Sequence, residues 1–233
     1  MENLPYKRAL IVGVGPGLSA SLARKLSALG VKVGLAARNA EKLAALAKET
    51  GAETFSVDAS DPGQVAALFE QADARLGEPD IVVYNASSRV RGFLTDLDPG
   101  EVQKAVAITS FGAFLVAQQA ARRMVARSHG AILLTGATAG VKGFPQSSAF
   151  AMGKFALRGL AQSAARELGP KGVHVAHFVI DGGIRSAMRP TPADKPDSLL
   201  EPDAIAQVYI DVLRQPRSAW AFEIDLRPWV ESF

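Results

Sequence analysis

Three glycines, Gly13, Gly15 and Gly17, stand within five residues between the apolar segment RALIV and a segment with helical periodicity. Glycines in such a turn let the backbone bend sharply and approach a ligand, and free amides at the start of the next helix attract negative charge. The spacing therefore predicts a site for the phosphates of a dinucleotide. A tight strand-to-helix turn without a ligand is the alternative, which the alternating pattern of the chain disfavours.

The end of the second apolar strand bears on which dinucleotide fits this turn. It reads Leu35, Ala36, Ala37, Arg38, without the Asp or Glu that takes the ribose hydroxyls of NAD or of S-adenosylmethionine. An arginine at this point accommodates the 2′-phosphate of NADP. Arg38 therefore predicts NADP(H) in preference to NAD(H), with a solvated surface arginine as the alternative.

These residues must be positioned by a sheet, because strand-like and helix-like segments alternate along the whole chain. Four leucines recur at helical spacing in the first helix: Leu18, Leu22, Leu26 and Leu29. Gly30 then ends that helix. Further strands read DIVVY, GAILLT and VHVAHFVI, and their near-continuous apolar character is typical of strands covered on both faces.

Capping residues mark the start of two further helices, with Asn39 before the second and the pair Asp61 and Pro62 before the third. Seven strands are expected, the last near the segment AFEI. The pattern predicts a single Rossmann-type α/β domain over residues 1–233, with a doubly wound parallel sheet and helices on both faces. A proline-rich stretch at about 185–201 predicts a long loop that covers the substrate.

Composition narrows the class of protein. The 233 residues are 48% hydrophobic and 21% charged, as in ordinary globular proteins. The absence of cysteine excludes disulfides and thiolate metal sites, and it favours the cytoplasm. A net charge of +3 gives no case for nucleic acid. The segment MENLP, before a first strand expected near Tyr6 or Lys7, lacks the core of a signal peptide, and no apolar run is long enough for a membrane span.

Six features resemble, in order and spacing, the short-chain dehydrogenase/reductase family: GVGPGLS, Asp58, YNAS, GATAG, FAMGK and DGGIRS. The resemblance covers nearly the whole chain and implies an oxidoreductase that uses a nicotinamide dinucleotide. The family motif T-G-x-x-x-G-x-G falls on Val12, Gly13, Gly17 and Ser19, so two of its members are altered. The predicted cofactor-binding residues are Gly13, Gly15, Gly17, Leu18, Arg38, Asn39, Asp58, Ala59, Asn85, Ala86, Lys154, Gly182 and Ile184.

The resemblance departs from the family at the catalytic positions. The family's Y-x-x-x-K places a tyrosine and a lysine on one helical face, so that the lysine lowers the phenol pKa and holds the ribose. Lys154 is present, but Phe150 stands at the tyrosine position. The family's serine falls on Ala137 and its helical asparagine on Thr109. Three of the four catalytic groups are therefore altered.

Replacements for the missing hydroxyls are scarce. Enoyl reductases of the same superfamily carry their tyrosine seven residues before the lysine, where this chain has Ser147. Tyr84 is expected to serve architecture, and His174 and His177 are expected to be buried in a strand. Thr138 could offer a hydroxyl if the strand register differs from the alignment, and Thr109 could hold a water.

Two functional hypotheses remain open. The first is an NADP(H)-dependent oxidoreductase of atypical mechanism that transfers hydride to or from a small carbonyl or enone compound. The second is a catalytically silent dinucleotide-binding protein with a role in sensing or assembly. Phe144, Phe150 and Met188 suggest an apolar substrate pocket, and the sequence does not identify the substrate.

The family resemblance also implies a homodimer or homotetramer. Family members commonly pair through two long helices, which here are expected at about 99–127 and 146–168. Small and apolar residues recur on both segments: Ala113, Val116, Ala117 and Ala120 on the first, and Phe155, Leu157, Leu160 and Ala164 on the second. Burial against the sheet is the alternative use for these residues.

Overall fold

A computed structural model of the chain describes residues 4–231. Met1, Glu2 and Asn3 of the segment MENLP lie outside the described residues. The strands are β1 (Arg8–Val12), β2 (Lys32–Ala37), β3 (Glu53–Ser56), β4 (Ile81–Tyr84), β5 (Gly130–Thr135), β6 (Val173–Ile180), β7 (Gly183–Ile184), β8 (Leu199–Leu200) and β9 (Glu223–Leu226). The helices are α1 (Leu18–Ala28), α2 (Ala44–Thr50), α3 (Pro62–Arg75), α4 (Pro99–Val106), α5 (Gly112–Arg127), α6 (Ser148–Leu168) and α7 (Pro202–Leu213).

Seven strands form one sheet in the order β3-β2-β1-β4-β5-β6-β9, and all neighbouring strands are parallel. The chain moves outward in one direction from β1 to β3 and in the other from β4 to β9. The strand order therefore switches between β1 and β4, and a crevice opens there beyond the carboxyl ends of the strands. This confirms the predicted doubly wound Rossmann-type sheet.

Alternate residues of the central strands enter two separate hydrophobic cores, one on each face of the sheet. Ala9 and Ile11 of β1 pack with α1 and α7, whereas Leu10 and Val12 pack with α3, α5 and α6. All four side chains are buried. The near-continuous apolar strands follow from this arrangement, because a strand between two helical layers presents neither face to water.

Several element limits differ from the sequence prediction by a few residues. The first strand begins at Arg8 rather than at Tyr6 or Lys7, because the Asp80 carboxylate accepts hydrogen bonds from the backbone amides of Lys7 and Arg8 at 2.9 and 3.1 Å. The last strand, at 223–226, is shifted by two residues from the expected segment at 221–224.

The expected helix caps are present. Asn39 Oδ1 accepts from the amides of Glu41 and Lys42, but the element it caps begins as a 3₁₀ turn, Ala40–Leu43, which α2 continues. Asp61 accepts from the Gln64 amide at 2.9 Å at the start of α3.

The two long helical segments are also more complex than predicted. A π-helical turn, Ala107–Phe111, separates α4 from α5, and α6 begins at Ser148 because Gln146 has a left-handed backbone with φ +59°. Between β7 and β8, which pair with each other, the chain has no helix or strand.

Most of the small residues that could have formed a subunit interface are used inside the fold. The four residues predicted on α5, from Ala113 to Ala120, are buried in the core beneath that helix, and so is Leu157. Phe155, predicted on the second helix, remains exposed, and so do three apolar side chains that were not predicted: Phe111, Phe114 and Met152. Within residues 4–231, no helix combines the length and the apolarity that crossing a membrane requires.

Candidate active site

The glycine turn lies at the switch point, between the end of β1 and the start of α1. Gly13 has φ +87°, and a Cβ added to it would lie 2.2 Å from the Ala86 backbone nitrogen, so only glycine fits. A Cβ added to Gly15 or Gly17 would meet nothing within 4 Å. Gly17 provides no side-chain cap for α1, which leaves the first amides of that helix free of a side-chain partner. The turn therefore has the close packing and the open backbone that a phosphate group requires.

The turn lines a large cavity of about 950 Å³, which we call the glycine-turn cavity. The end of β2 and the residues after β3 and β4 complete it, among them Arg38, Asn39, Asp58 and Asn85. Arg38 is exposed, and the nearby Lys42 adds a second cation that the sequence reasoning missed. One end of this cavity therefore carries positive charge and no carboxylate on the terminal residues of β2.

Asp58 follows β3 by two residues and is held by hydrogen bonds from Ser60. Its Oδ1 accepts from the Ser60 amide at 2.9 Å and from the Ser60 hydroxyl at 2.6 Å. These hydrogen bonds hold the pKa of the Asp58 carboxyl below its usual range, despite partial burial. The carboxylate therefore stays ionised in the cavity wall, beside Ala59.

Asn85 ties the end of β4 to the glycine turn. Its backbone amide donates to the Val12 carbonyl at 2.8 Å, and its side-chain amide donates to the Ser19 hydroxyl at 2.7 Å. Ser19 in turn approaches the Gly13 carbonyl at 3.4 Å. These bonds connect two positions of the family resemblance, Asn85 and Ser19, and fix the geometry of the turn.

Lys154 lies at the base of an adjoining cavity of about 490 Å³, the lysine cavity, which Gly182 and Ile184 also line. Its side chain is only 3% exposed, and Nζ donates to the Thr135 carbonyl at the end of β5 at 2.7 Å. Burial, aided by the positive charge of Arg89, lowers the pKa of Lys154 from 10.5 to about 7. Within residues 4–231, no carboxylate lies within 4.0 Å of this amine, and the cost of such burial is typical of functional sites.

The three altered positions of the resemblance cluster around Lys154. Phe150 and Ala137 are buried and line the lysine cavity, and Lys154 Nζ lies 5.8 Å from the centre of the Phe150 ring. Neither residue carries a hydroxyl. Thr109 is fully buried in the π-helical turn, where its hydroxyl oxygen accepts from the Ser88 amide at 3.1 Å. The fold thus places Phe150, Ala137 and Lys154 around one cavity, and Thr109 packs against Gly153, the residue before Lys154.

The three tyrosines of the chain all have partners within the fold. The Tyr84 hydroxyl donates to the Ile108 carbonyl, and burial raises the Tyr84 pKa. Tyr209 is buried on the opposite side of the sheet, with its hydroxyl 2.9 Å from that of Thr135, and burial raises its pKa too. Tyr6 stacks on His129. These phenols are poor proton donors to a substrate in the lysine cavity.

The two strand histidines are buried, in agreement with the prediction. His177 Nδ1 lies 2.9 Å from the Glu223 carboxylate, and His174 Nε2 lies 2.8 Å from the Ala221 carbonyl. Burial lowers the pKa of both imidazoles. Neither imidazole lines the glycine-turn cavity or the lysine cavity.

Two hydroxyls lie closer to the altered positions. The Thr138 hydroxyl donates to Asp181 Oδ1 at 2.7 Å and is therefore committed to a partner within the chain. Both Thr138 and Ser147 line a third cavity, of about 210 Å³, which we call the arginine cavity.

The arginine cavity contains the residues that sequence reasoning missed. Arg89 and Arg91 follow β4, and Arg189 comes from the loop after β7; all three line the cavity. Phe144 and Phe150 contribute the apolar wall that was predicted, whereas Met188 is almost fully exposed and lines the lysine cavity. No motif marked these arginines, because they come from two segments that only the fold brings together.

The sheet order and the crevice at its switch point define a Rossmann-type dinucleotide-binding fold. Residues 7–196 match the family model described as short chain dehydrogenase. The chain therefore belongs to the short-chain dehydrogenase family of oxidoreductases.

Two curated proteins illustrate the relationship. The chain is 29% identical to sorbitol-6-phosphate 2-dehydrogenase of Escherichia coli (strain K12) over 213 residues, which cover 87% of this chain and 82% of that protein. It is 33% identical to a versicolorin reductase of Emericella nidulans over 193 residues, or 80% and 72% of the two chains.

Solved structures agree with the fold. A short-chain dehydrogenase from Rhodopseudomonas palustris superposes with a TM-score of 0.83 at 34% identity, covering 96% of this chain and 99% of that one. A metagenomic short-chain oxidoreductase in complex with NADP gives the same TM-score at 29% identity, covering 96% and 98%. The family thus includes a neighbour of this fold with NADP bound.

Proposed function

We propose that this protein is an NADP(H)-dependent oxidoreductase that transfers hydride to or from a small carbonyl or enone compound by an atypical mechanism. The observation that carries the proposal is Lys154, an uncompensated buried amine at the carboxyl end of β5, where the lysine cavity meets the glycine turn. When bound, the dinucleotide supplies the hydride. The chain supplies binding, orientation and a site shielded from water.

The residues of the glycine-turn cavity fit such a cofactor. The open sides of Gly15 and Gly17 allow phosphate oxygens to approach the backbone, and the side of Gly13 is already filled by Ala86. Asp58 and Asn85 are fixed by hydrogen bonds, and we assign them to the adenine and to the centre of the dinucleotide. Lys154 is assigned to the nicotinamide ribose, beside the loop that carries Gly182 and Ile184.

The preference for NADP(H) rests on charge at the end of β2. Arg38 and Lys42 line the cavity there, and the four terminal residues of β2 and its extension include no acid to bind two ribose hydroxyls. The negative charge of a 2′-phosphate is attracted to both cations. The ribose hydroxyls of NAD would find no carboxylate at the end of β2 to accept their hydrogen bonds.

The atypical mechanism rests on Phe150 and Ala137, which we place at the family's tyrosine and serine positions. A positioned general acid contributes about 10²- to 10⁴-fold to rate, whereas the effective molarity of aligned reactants reaches about 10⁵ to 10⁸ M. Loss of the acid therefore slows the reaction without removing the advantage of alignment. Hydride addition to an activated alkene leaves a delocalised enolate that water can protonate, so enones are favoured over simple ketones.

Turnover decides between this proposal and its alternative. The missing hydroxyls at Phe150 and Ala137 favour, as a second candidate, a catalytically silent dinucleotide-binding protein. A panel of carbonyl and enone substrates, followed by NADPH absorbance, should show oxidation of NADPH with at least one enone. The rate should fall sharply in the Lys154→Ala variant. NADPH binding without turnover across the panel would favour the silent protein.

We also propose that the protein assembles as a homodimer or homotetramer in the cytoplasm. The cytoplasmic location rests on the absence of cysteine. The assembly rests on exposed aromatic side chains of α5 and α6. Phe111 and Phe114, at the start of α5, stack with ring centres 6.2 Å apart, and Phe155 lies exposed on α6. Pairing about a two-fold axis would remove this apolar surface from water.

A further inference from the structure

The arginine cavity is a feature that the proposed function has not used. It holds about 210 Å³ and adjoins the lysine cavity, with which it shares Phe150, Ala137 and two of its arginines, Arg89 and Arg189. Apolar side chains form part of its wall, including Phe144 and Ile180. The cavity therefore lies where a substrate would stand next to Lys154.

Three guanidinium groups face this cavity without acidic partners. Among the described residues, no carboxylate lies within 4.0 Å of the side-chain nitrogens of Arg89, Arg91 or Arg189, and no Asp or Glu lines the cavity. Other arginines of the chain are paired: Arg8 with Asp80, and Arg158 with Glu223. The arginine cavity therefore gathers three arginines that lack a carboxylate partner among the described residues.

The three cations also oppose one another. Burial, followed by repulsion from Arg189 and Arg91, lowers the pKa of Arg89. Arg89 is held in place by the Phe150 ring, with its guanidinium carbon 4.2 Å from the ring centre. Like charges gathered in a cleft repel, and an anion in the cleft relieves that repulsion.

We propose that the arginine cavity binds an anionic group of the substrate, a carboxylate or a phosphate, with Arg91 and Arg189 as its main partners. The inference rests on the proposed function, because it names the substrate class of the same site. A planar guanidinium presents parallel N–H donors that match the oxygens of either anion. The small volume and the aromatic wall favour a compact apolar body, such as one ring or a short chain carrying the reactive carbonyl or alkene.

Binding rather than turnover provides the first test. The NADP⁺-saturated protein is titrated by calorimetry, at about 0.15 M salt, with trans-cinnamate, phenyl phosphate and the neutral trans-cinnamamide. We expect at least one of the two anions to bind about tenfold more tightly than the amide, as a charge-assisted hydrogen bond should provide. Comparison of the two anions shows which headgroup the cavity prefers.

Substitutions at Arg91 assign the effect. Arg91 is exposed and lies outside the glycine-turn and lysine cavities, so its replacement should leave the fold and NADPH affinity intact. We expect Arg91→Ala to remove most of the preference for the anion, Arg91→Lys to keep part of it, and Arg91→Glu to make the amide the tighter ligand. Arg214→Ala removes the same charge from the exposed end of α7 and should change nothing.

Three results would overturn the inference. Equal affinities for the anions and the amide would show that the cavity does not select charge. An unchanged preference in folded Arg91→Ala and Arg91→Glu variants, checked by thermal melting, would remove Arg91 from the site. A loss of NADPH affinity in Arg91→Glu, with the ligand preference unchanged, would assign the arginines to the dinucleotide.

Failure of the proposed function gives a different result. A protein that does not bind NADPH, or binds it without turnover, still permits the anion titration in the absence of dinucleotide. Selective anion binding that is lost in Arg91→Glu would then support the cavity assignment alone.

Discussion

Replacing Lys154 with methionine should stabilise the folded protein without dinucleotide near pH 7, and this gain should shrink at higher pH. The reason is the cost of protonation. The pKa of Lys154 falls from 10.5 to about 7 in the folded protein. Between these two pH values the amine is protonated in the unfolded chain and neutral in the folded one. Stability is therefore lost as the pH falls from 10.5 towards 7, and the penalty is constant below that. Methionine fills a similar volume and carries no charge.

The magnitude follows from the same two pKa values. Linkage gives a penalty of about 4 kcal/mol at pH 7 and about 1 kcal/mol at pH 9.5 for the natural protein. The variant also leaves the Thr135 carbonyl without the Nζ donor, which costs about 1 to 3 kcal/mol at either pH. The net gain near pH 7 is therefore modest. The difference between the two pH values, about 3 kcal/mol, does not depend on the lost hydrogen bond.

Urea unfolding of both proteins at pH 7 and pH 9.5 measures this difference, because groups that titrate in both proteins cancel. Lys142→Met, at an exposed lysine, serves as the control and should show no pH-dependent difference. If the Lys154→Met effect on the free energy of unfolding is the same at both pH values, Lys154 has an ordinary pKa. The buried, uncompensated amine would then lose its value as evidence for the site.

Three further predictions test the cofactor, the mechanism and the assembly. NADPH should bind at least tenfold more tightly than NADH, a difference of about 1.4 kcal/mol, and Arg38→Asp should reverse that order in calorimetry; tighter NADH binding to the natural protein would remove Arg38 from this role. The natural protein should reduce simple ketones far more slowly than its family does, and Phe150→Tyr with Ala137→Ser should raise that rate; robust ketone turnover by the natural protein would show that another group supplies the acid. Light scattering at micromolar concentration should show a dimer or tetramer that Phe114→Asp with Phe155→Asp converts to monomer, and a monomeric natural protein would contradict the assembly.

The sequence by itself determined the sheet and the glycine turn at its switch point. Strands and helical segments alternate from β1 to β6, and short apolar strands between two helical layers leave few topologies open. The caps Asn39 and Asp61 are local signals, because their hydrogen bonds involve neighbours in the chain. Gly13 is marked by its left-handed backbone, although the close packing that requires glycine there comes from the distant Ala86. The limits of elements differ from the predicted ones where a residue distant in the chain binds the backbone. At the start of β1, the Asp80 carboxylate accepts hydrogen bonds from two backbone amides.

Only the tertiary structure decided which side chains are available for chemistry. Apolar residues of α5 looked equally suited to a core or to an interface, and packing against the sheet buried Ala113 and Ala120 while leaving Phe114 exposed. The arginine cavity was invisible for the same reason. Arg89 and Arg189 are 100 residues apart in the chain, and their shared surroundings depend on the path of the loop after β7. Periodicity reports the local direction of a side chain, whereas electrostatic repulsion and burial depend on neighbours that the fold brings from elsewhere.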